Sequence, residues 1–168
     1  EALYEEVTRD IGFVPTEPIG VIMAFTREEF NQFQPEGAGL PQWAVGVAYP
    51  ELSLMVIRSP RLIAGSLANP LETFTHELSH LVLGKQFEEH PIPRWLNEGL
   101  AMYEAYEWNP SQDLLMARAV FSGRLLSLDQ LTRAFGGESF EVQLAYLQSY
   151  SLVNYLISTY GREDFHSF

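Results

Sequence analysis

Three residues, His76, Glu77 and His80, carry the clearest chemical pattern in this chain. Histidines four positions apart lie one turn apart on the same helix face, so both imidazoles can bind one metal ion at roughly 2.0–2.1 Å. Glu77 lies about 100° further around the helix, where it can take a proton from a water that the metal activates. The alternative is a surface helix whose histidines bind nothing. Leu78 and the apolar residues 81–83 argue against it, because buried histidines need partners.

A third metal ligand is expected from the segment Pro93–Ala101. Pro93 suits the start of a helix, and the helix that follows can run back towards His80 after a loop. Glu98 lies in this second helix. Taken alone, Glu98 would be interpreted as a solvated carboxylate. Beside two histidines at metal-binding spacing, it completes the two-histidine, one-carboxylate set of a catalytic zinc site with an open position for water.

Composition limits the classes of protein that carry this pattern. The 168 residues suit one domain. With 10 basic and 22 acidic residues, the net charge is −12, which argues against nucleic acid or an anionic membrane as the main partner. The absence of cysteine excludes disulfides and thiolate ligands, and no apolar run is long enough to cross a membrane. We expect the chain to be part of a longer protein.

The elements that must position these residues follow from hydrophobic periodicity and from glycine and proline. A helix over 1–11 and a strand over 19–25 are predicted, and Thr26 with Glu29 forms a capping-box pattern. Two further strands, Trp43–Tyr49 and Leu52–Ile57, are expected to pair as a hairpin. The remainder is predicted to be helical over 70–84, 94–107, 111–122, 127–135 and 140–160, with Gly84, Gly123, Gly136 and Gly161 at helix ends.

Two motifs give this chain a family resemblance: H-E-x-x-H over His76–His80 and W-L-N-E-G-x-A-x-Y over Trp95–Tyr103. Together they resemble the gluzincin metallopeptidases, most closely the compact bacterial peptidase MA-like domains. The resemblance implies zinc bound by His76, His80 and Glu98, with Glu77 as general base and acid. It also implies one domain over 1–168, with an α+β fold. In that fold a small N-terminal sheet packs on a mainly helical zincin-like region, and the zinc lies between the two motif helices.

The chain departs from the larger relatives in two places. Their aminopeptidase branch carries G-x-M-E-N on the strand before the zinc helix, whereas Pro50–Val56 has no such motif, so we expect an endopeptidase rather than an aminopeptidase. Met102 stands where thermolysin-type proteins have an aspartate. The groups that orient the distal histidine nitrogens stay open between Glu72, Asn97 and Glu104.

A hydrogen-bond donor for the developing oxyanion is expected on the helix predicted over 140–160. Tyr146 and Tyr150 share a face of that helix. Tyr146 stands three positions before Ser149, as in the similar aminopeptidase segment, and the resemblance therefore favours Tyr146, with Tyr150 second. The alternative is that these rings only pack the helix. His90, in the loop between the motif helices, is expected to be solvated.

These observations favour a zinc-dependent peptidase that acts on a peptide or protein, with no nucleic acid partner. The alternative is a binding module in which zinc holds the fold together and no peptide is cleaved. An extended substrate is expected to pair with the strand Leu52–Ile57. The family resemblance implies a location outside the cytoplasm, exported or tethered to the envelope.

Overall fold

The structure, a computed structural model, describes residues 1–35, 40, 44–59, 69–88, 90–135 and 140–166. It is 62% helical with a small three-stranded mixed sheet, which confirms the predicted α+β class. The chain divides into two compact units, Glu1–His90 and Pro91–Phe168. The single domain over 1–168 stays a prediction. Among the described helices, none is both long and apolar enough to span a membrane.

The first unit holds the sheet and the first motif helix. Gly12, in a left-handed conformation at φ 76°, ends the first helix, and the predicted capping box of Thr26 and Glu29 begins the second. A short 3-10 turn joins the two strands of the predicted hairpin. The elements are α1 Ala2–Ile11, β1 Gly20–Ala24, α2 Arg27–Gln32, β2 Gly46–Tyr49, β3 Leu54–Arg58 and α3 Pro70–Gln86.

Strand order in the sheet is β1-β3-β2. β1 runs parallel to β3, with Gly20 opposite Leu54, and β2 runs antiparallel to β3, with Val47 opposite Val56. Both edges of β3 are therefore already paired. The prediction that a substrate pairs with Leu52–Ile57 is wrong, because a central strand has no free backbone groups for another chain. Trp43, at the predicted start of the hairpin, lies outside the described residues.

The α3 helix continues past Gly84 and ends at Gln86, so the prediction that Gly84 ends this helix is wrong. A Cβ atom on Gly84 would lie 2.4 Å from Cγ of Pro50, in the turn between β2 and β3. Glycine at this position is explained by the close approach of that turn. A left-handed helix end, which is the other common reason for glycine, does not occur here.

The second unit contains five helices within the described residues. Gly123 and Gly161 have positive φ and follow helices, as predicted, whereas Gly136 lies outside the described part. The helix predicted over 94–107 ends at Glu104, because Tyr106 takes a left-handed φ of 55° that stops the helix. The elements are α4 Arg94–Glu104, α5 Pro110–Phe121, α6 Leu128–Arg133, α7 Phe140–Tyr160 and α8 Arg162–His166.

Close packing of α4 on α7 depends on Gly99. A Cβ atom at this position would lie 2.4 Å from the backbone oxygen of Ser149 and 2.9 Å from Cγ2 of Val153. Ser149 and Val153 are fully buried in α7. The two backbones therefore approach closely at the residue that directly follows Glu98.

We expect Gly99→Ala to lower the free energy of unfolding by about 1–3 kcal/mol, the usual cost of overpacking a tight interface. The higher helix propensity of alanine would raise the free energy of unfolding by at most about 1 kcal/mol. The clash with the Ser149 backbone is therefore expected to determine the net change, which is destabilising. Urea unfolding monitored by circular dichroism measures the change. Asn154→Ala, at an exposed position of α7, is the control and should leave stability unchanged or raise it. An unchanged midpoint for Gly99→Ala would contradict this account of the packing.

Candidate metal centre

The α3 helix is fixed at its start and along its buried face. Asn69 caps it by accepting a hydrogen bond from the Leu71 backbone N–H at 3.1 Å, and Pro70 occupies the first turn. Burial of this helix was predicted from its apolar residues, and it is confirmed by exposures of 0–5% at Leu78, Leu81, Val82 and Leu83. The histidines are thus carried by a helix that the core holds in place.

The imidazoles of His76 and His80 converge. Their Nε2 atoms lie 3.0 Å apart, and the rings meet edge to face, with centroids 4.7 Å apart and planes at 83°. Two nitrogens bound tetrahedrally to one metal ion at 2.0–2.1 Å would lie about 3.3 Å apart. The pair is therefore close to the separation that a shared ion needs, and the predicted use of one helix face is confirmed.

Glu77 directly follows His76 on α3 and is 8% exposed. The backbone of β2 passes directly over it: a Cβ atom on Gly46 would lie 2.6 Å from both Cγ and Oε1 of Glu77. Only glycine leaves room for this carboxylate in its present position. No local sequence pattern marks Gly46, because the approach of β2 to α3 is a tertiary contact.

Tyr49, at the far end of β2, lies in the electrostatic field of the same carboxylate. Its pKa is raised above the ordinary value, first by burial and then by the negative charges of Glu51 and Glu77. The phenol therefore stays protonated at neutral pH, and it donates a hydrogen bond to Oε1 of Gln34.

In the second unit, Glu98 is held by Arg94, one turn earlier on α4. Glu98 is 9% exposed, and its Oε1 lies 3.5 Å from Nε of Arg94. Arg94 also donates from Nη1 to the backbone oxygen of Phe135 at 2.8 Å, and its guanidinium lies over the Phe135 ring. From the sequence alone, the default interpretation of Arg94 is a surface charge that precedes Glu98. Its i,i+4 spacing from Glu98 was the available signal for this positioning contact.

The two tyrosines proposed as oxyanion donors have different surroundings within the second unit. Tyr146 packs edge to face on Phe135, the residue that also holds Arg94, with ring centroids 5.1 Å apart. Tyr150 stacks on Trp108 at 4.5 Å, and burial raises its pKa above the ordinary value. Tyr146 and Tyr150 share a helix face, as the sequence predicted, but their rings belong to two different aromatic clusters. These contacts assign a catalytic role to neither hydroxyl.

The remaining candidates are found on several helices. Glu72 accepts a hydrogen bond from the Asn69 side chain at 3.2 Å near the start of α3. Glu104 is 5% exposed and lies 3.3 Å from Nη1 of Arg162. Asn97 is half-buried on α4, and His90 is exposed, as expected for a solvated loop histidine.

Three of the predicted residues have ligand atoms that lie close together. One ring nitrogen each from His76 and His80 and one carboxylate oxygen of Glu98 all lie within 4.8 Å of one another. Two imidazole nitrogens and one carboxylate oxygen form a donor set that suits a borderline-soft divalent cation. A group of residues that could hold a metal ion is therefore present, and its donor chemistry fits the ion that the motifs imply.

Comparison with known proteins agrees with this arrangement. The family described as the Peptidase MA superfamily matches residues 4–168, which is nearly the whole chain. No curated protein and no solved structure matches the chain. Since the match includes both motif helices and the sheet before them, the chain belongs to the Peptidase MA superfamily.

Proposed function

We propose that this protein is a zinc-dependent peptidase that hydrolyses peptide bonds within polypeptide chains. The observation that carries the proposal is a group of two imidazole nitrogens and one carboxylate oxygen within 4.8 Å, with the buried Glu77 next to His76 in sequence. Zinc would be held by His76, His80 and Glu98. When bound, it would supply a Lewis acid that polarises the scissile carbonyl and acidifies water.

Glu77 is the proposed general base and acid. Its carboxylate takes a proton from the attacking water and later gives that proton to the leaving amine. A group that shuttles a proton must keep its position through both steps, and Glu77 is held between the α3 helix and the β2 backbone at Gly46. A zinc site that only stabilises a fold does not need a general base. The presence of Glu77 therefore favours an enzyme over a binding module.

The free edge of β2 is the proposed docking line for substrate. Within the described part of the sheet, β2 pairs with β3 alone, so its outer N–H and C=O groups can bind an extended polypeptide. Gly46 begins this strand and lies over Glu77, which brings a bound backbone towards the base. A strand-like substrate can extend in both directions, and this supports an endopeptidase.

The proposal is tested by digestion of a peptide library, with mass spectrometry of the products and a chelator control. We expect cleavage at internal bonds, loss of cleavage on chelation and recovery with zinc. Peptides blocked by N-acetylation should be cleaved as well as free ones, whereas an aminopeptidase would need the free amine. Zinc binding without any cleavage would favour the alternative, a peptide-binding module whose fold is stabilised by zinc.

We expect Gly46→Ala to lower kcat by about 10²-fold while the protein still folds. The added methyl group overlaps Cγ and Oε1 of Glu77, which must move out of place because the side chain is more flexible than the β2 backbone. Steady-state kinetics on a peptide found in the library measures the effect. Gly20→Ala, in the opposite outer strand β1, is the matched control, because its Cβ would meet Cδ1 of Leu54 at 3.2 Å and the backbone oxygen of Ser53 at an ordinary contact distance of 3.7 Å. Equal kcat for Gly46→Ala and wild type would contradict the proposed role of this contact.

Removal of one hydroxyl tests the proposed oxyanion donor. We expect Tyr146→Phe to lower kcat by about 10²-fold with little change in KM or zinc content, because the donor acts on charge that develops in the transition state. The contact of Tyr146 with Phe135, which binds Arg94, supports Tyr146 over Tyr150. Tyr150→Phe is the matched control. Full activity of Tyr146→Phe beside an impaired Tyr150→Phe would assign the role to the other ring.

A further inference from the structure

An exposed face of α5 carries apolar side chains that contact little of the protein. Leu114, Arg118 and Phe121 stand at i, i+4 and i+7, so they share one face, opposite the buried Ala119. Leu114 is 70% exposed and Phe121 is 91% exposed. Shortly after the helix, Leu125 is also 46% exposed. Exposed apolar side chains in a cluster mark interaction surfaces more often than isolated ones do.

The segment that carries this face has a positive charge, whereas the whole chain has a negative one. Residues 114–128 contain two arginines and no acidic residue, whereas the protein has a net charge of −12. Neither Arg118 nor Arg124 forms an ion pair with any residue that the structure describes. Arg133 differs from them, because its Nη2 lies 2.6 Å from Oδ2 of Asp129. Two cations thus remain available in a protein with a large excess of anions.

Both unpaired arginines line one cavity of about 360 Å³. Among the residues that the structure describes, Ala119, Ser122 and Phe140 also line it. The guanidinium fork matches the two oxygens of a carboxylate, and the Phe140 ring, which is 44% exposed, offers apolar surface to the side chain of a neighbouring residue. The cavity therefore combines sites for an anionic group and for an apolar group at the edge of the exposed α5 face.

We propose that this surface binds an acidic, apolar polypeptide segment, with a carboxylate between Arg118 and Arg124 and apolar side chains against Phe121 and Phe140. A polypeptide suits the charges better than an anionic membrane does. The net charge of −12 opposes approach to an extended anionic bilayer, whereas a short segment presents its few carboxylates within about 10 Å of the arginines. The surface lies entirely in the second unit and includes none of the proposed metal ligands.

Fluorescence anisotropy with a labelled peptide of about ten residues tests the proposal. The probe contains leucine, phenylalanine and two glutamates, is blocked at both ends, and is checked for cleavage by mass spectrometry. We expect the glutamate peptide to bind and its glutamine analogue to bind about tenfold more weakly, with the difference shrinking as salt is raised. Equal binding of the two peptides at low salt would overturn the proposed role of the arginines.

Variants locate the binding surface. We expect Arg118→Gln combined with Arg124→Gln to weaken probe binding about tenfold, and Phe121→Ser to weaken it severalfold, since all three residues are exposed and their loss should leave the fold intact. Arg133→Gln removes one positive charge outside the cavity, half of what the double variant removes, and is the control. Two results would overturn the proposal: binding to vesicles with anionic lipid in place of the peptide, or a wild-type dimer that Phe121→Ser dissociates. The first would identify a lipid surface and the second would show that another copy covers this face.

Discussion

A protein carrying Glu77→Gln is expected to retain zinc and to lose hydrolysis by about 10²–10⁴-fold. Glutamine keeps the shape of the side chain, so the packing against Gly46 and the positions of His76 and His80 are preserved. Its amide, however, cannot take a proton from water at neutral pH. Initial rates on a library-derived substrate, together with elemental analysis of the same preparation, separate the loss of the base from the loss of the ion.

Glu88→Gln is the matched control, since it makes the same chemical change at an exposed position just after α3 and should leave the rate unchanged. A Glu77→Gln rate close to that of wild type would contradict the proposed general base. Wild-type protein that binds zinc but cleaves nothing in the library would move the interpretation to a binding module. The two outcomes are distinguishable, because the first requires an active wild type and the second excludes one.

The second large effect is expected from Glu98→Ala, which removes the only carboxylate from the proposed ligand set. We expect about one zinc per chain in the wild type and more than about 100-fold weaker zinc binding in the variant, since even residues that only orient ligands contribute 10–100-fold. The variant should also lose the zinc-dependent rise in Tm, because an ion that binds only the folded state stabilises it by about 2.7 kcal/mol at 100 times Kd.

Elemental analysis and thermal unfolding with and without chelator measure both effects. Glu141→Ala removes an exposed carboxylate from the first turn of α7 and is the control, which should keep zinc and Tm. His76→Ala should behave like Glu98→Ala. A Glu98→Ala protein that binds zinc as tightly as wild type would refute the ligand assignment, although it would leave the role of Glu77 open.

Local sequence patterns predicted the features that depend on neighbouring residues. The i,i+4 spacing of His76 and His80 predicted two converging imidazoles, and Thr26 with Glu29 predicted a capping box; both are confirmed. The hairpin also follows from local patterns, because its strands are joined by a short turn at Pro50. Each of these depends on interactions within a few positions along the chain, where helix and turn geometry is fixed by the backbone.

Features that depend on the approach of distant segments were missed or misinterpreted. Gly84 was predicted to end a helix, but it makes room for Pro50, and Gly46 was overlooked although it makes room for Glu77. The central position of Leu54–Arg58 was equally hidden, because strand order depends on where β1 docks. The sequence alone does not distinguish a glycine that a turn requires from a glycine that a tertiary contact requires.

The register of the sheet also implies an order of folding for the first unit. β2 and β3 pair across a connection of four residues, 50–53, whereas the parallel pairing of Gly20 with Leu54 must close a much longer loop that contains α2 and β2. Loop-closure entropy therefore favours the hairpin first and β1 later. Until β1 arrives, one side of Leu54–Arg58 is an unpaired apolar edge, on which nascent chains can pair with one another. Substitutions that weaken β1 should therefore act through aggregation during synthesis, even where the finished protein keeps its chemistry.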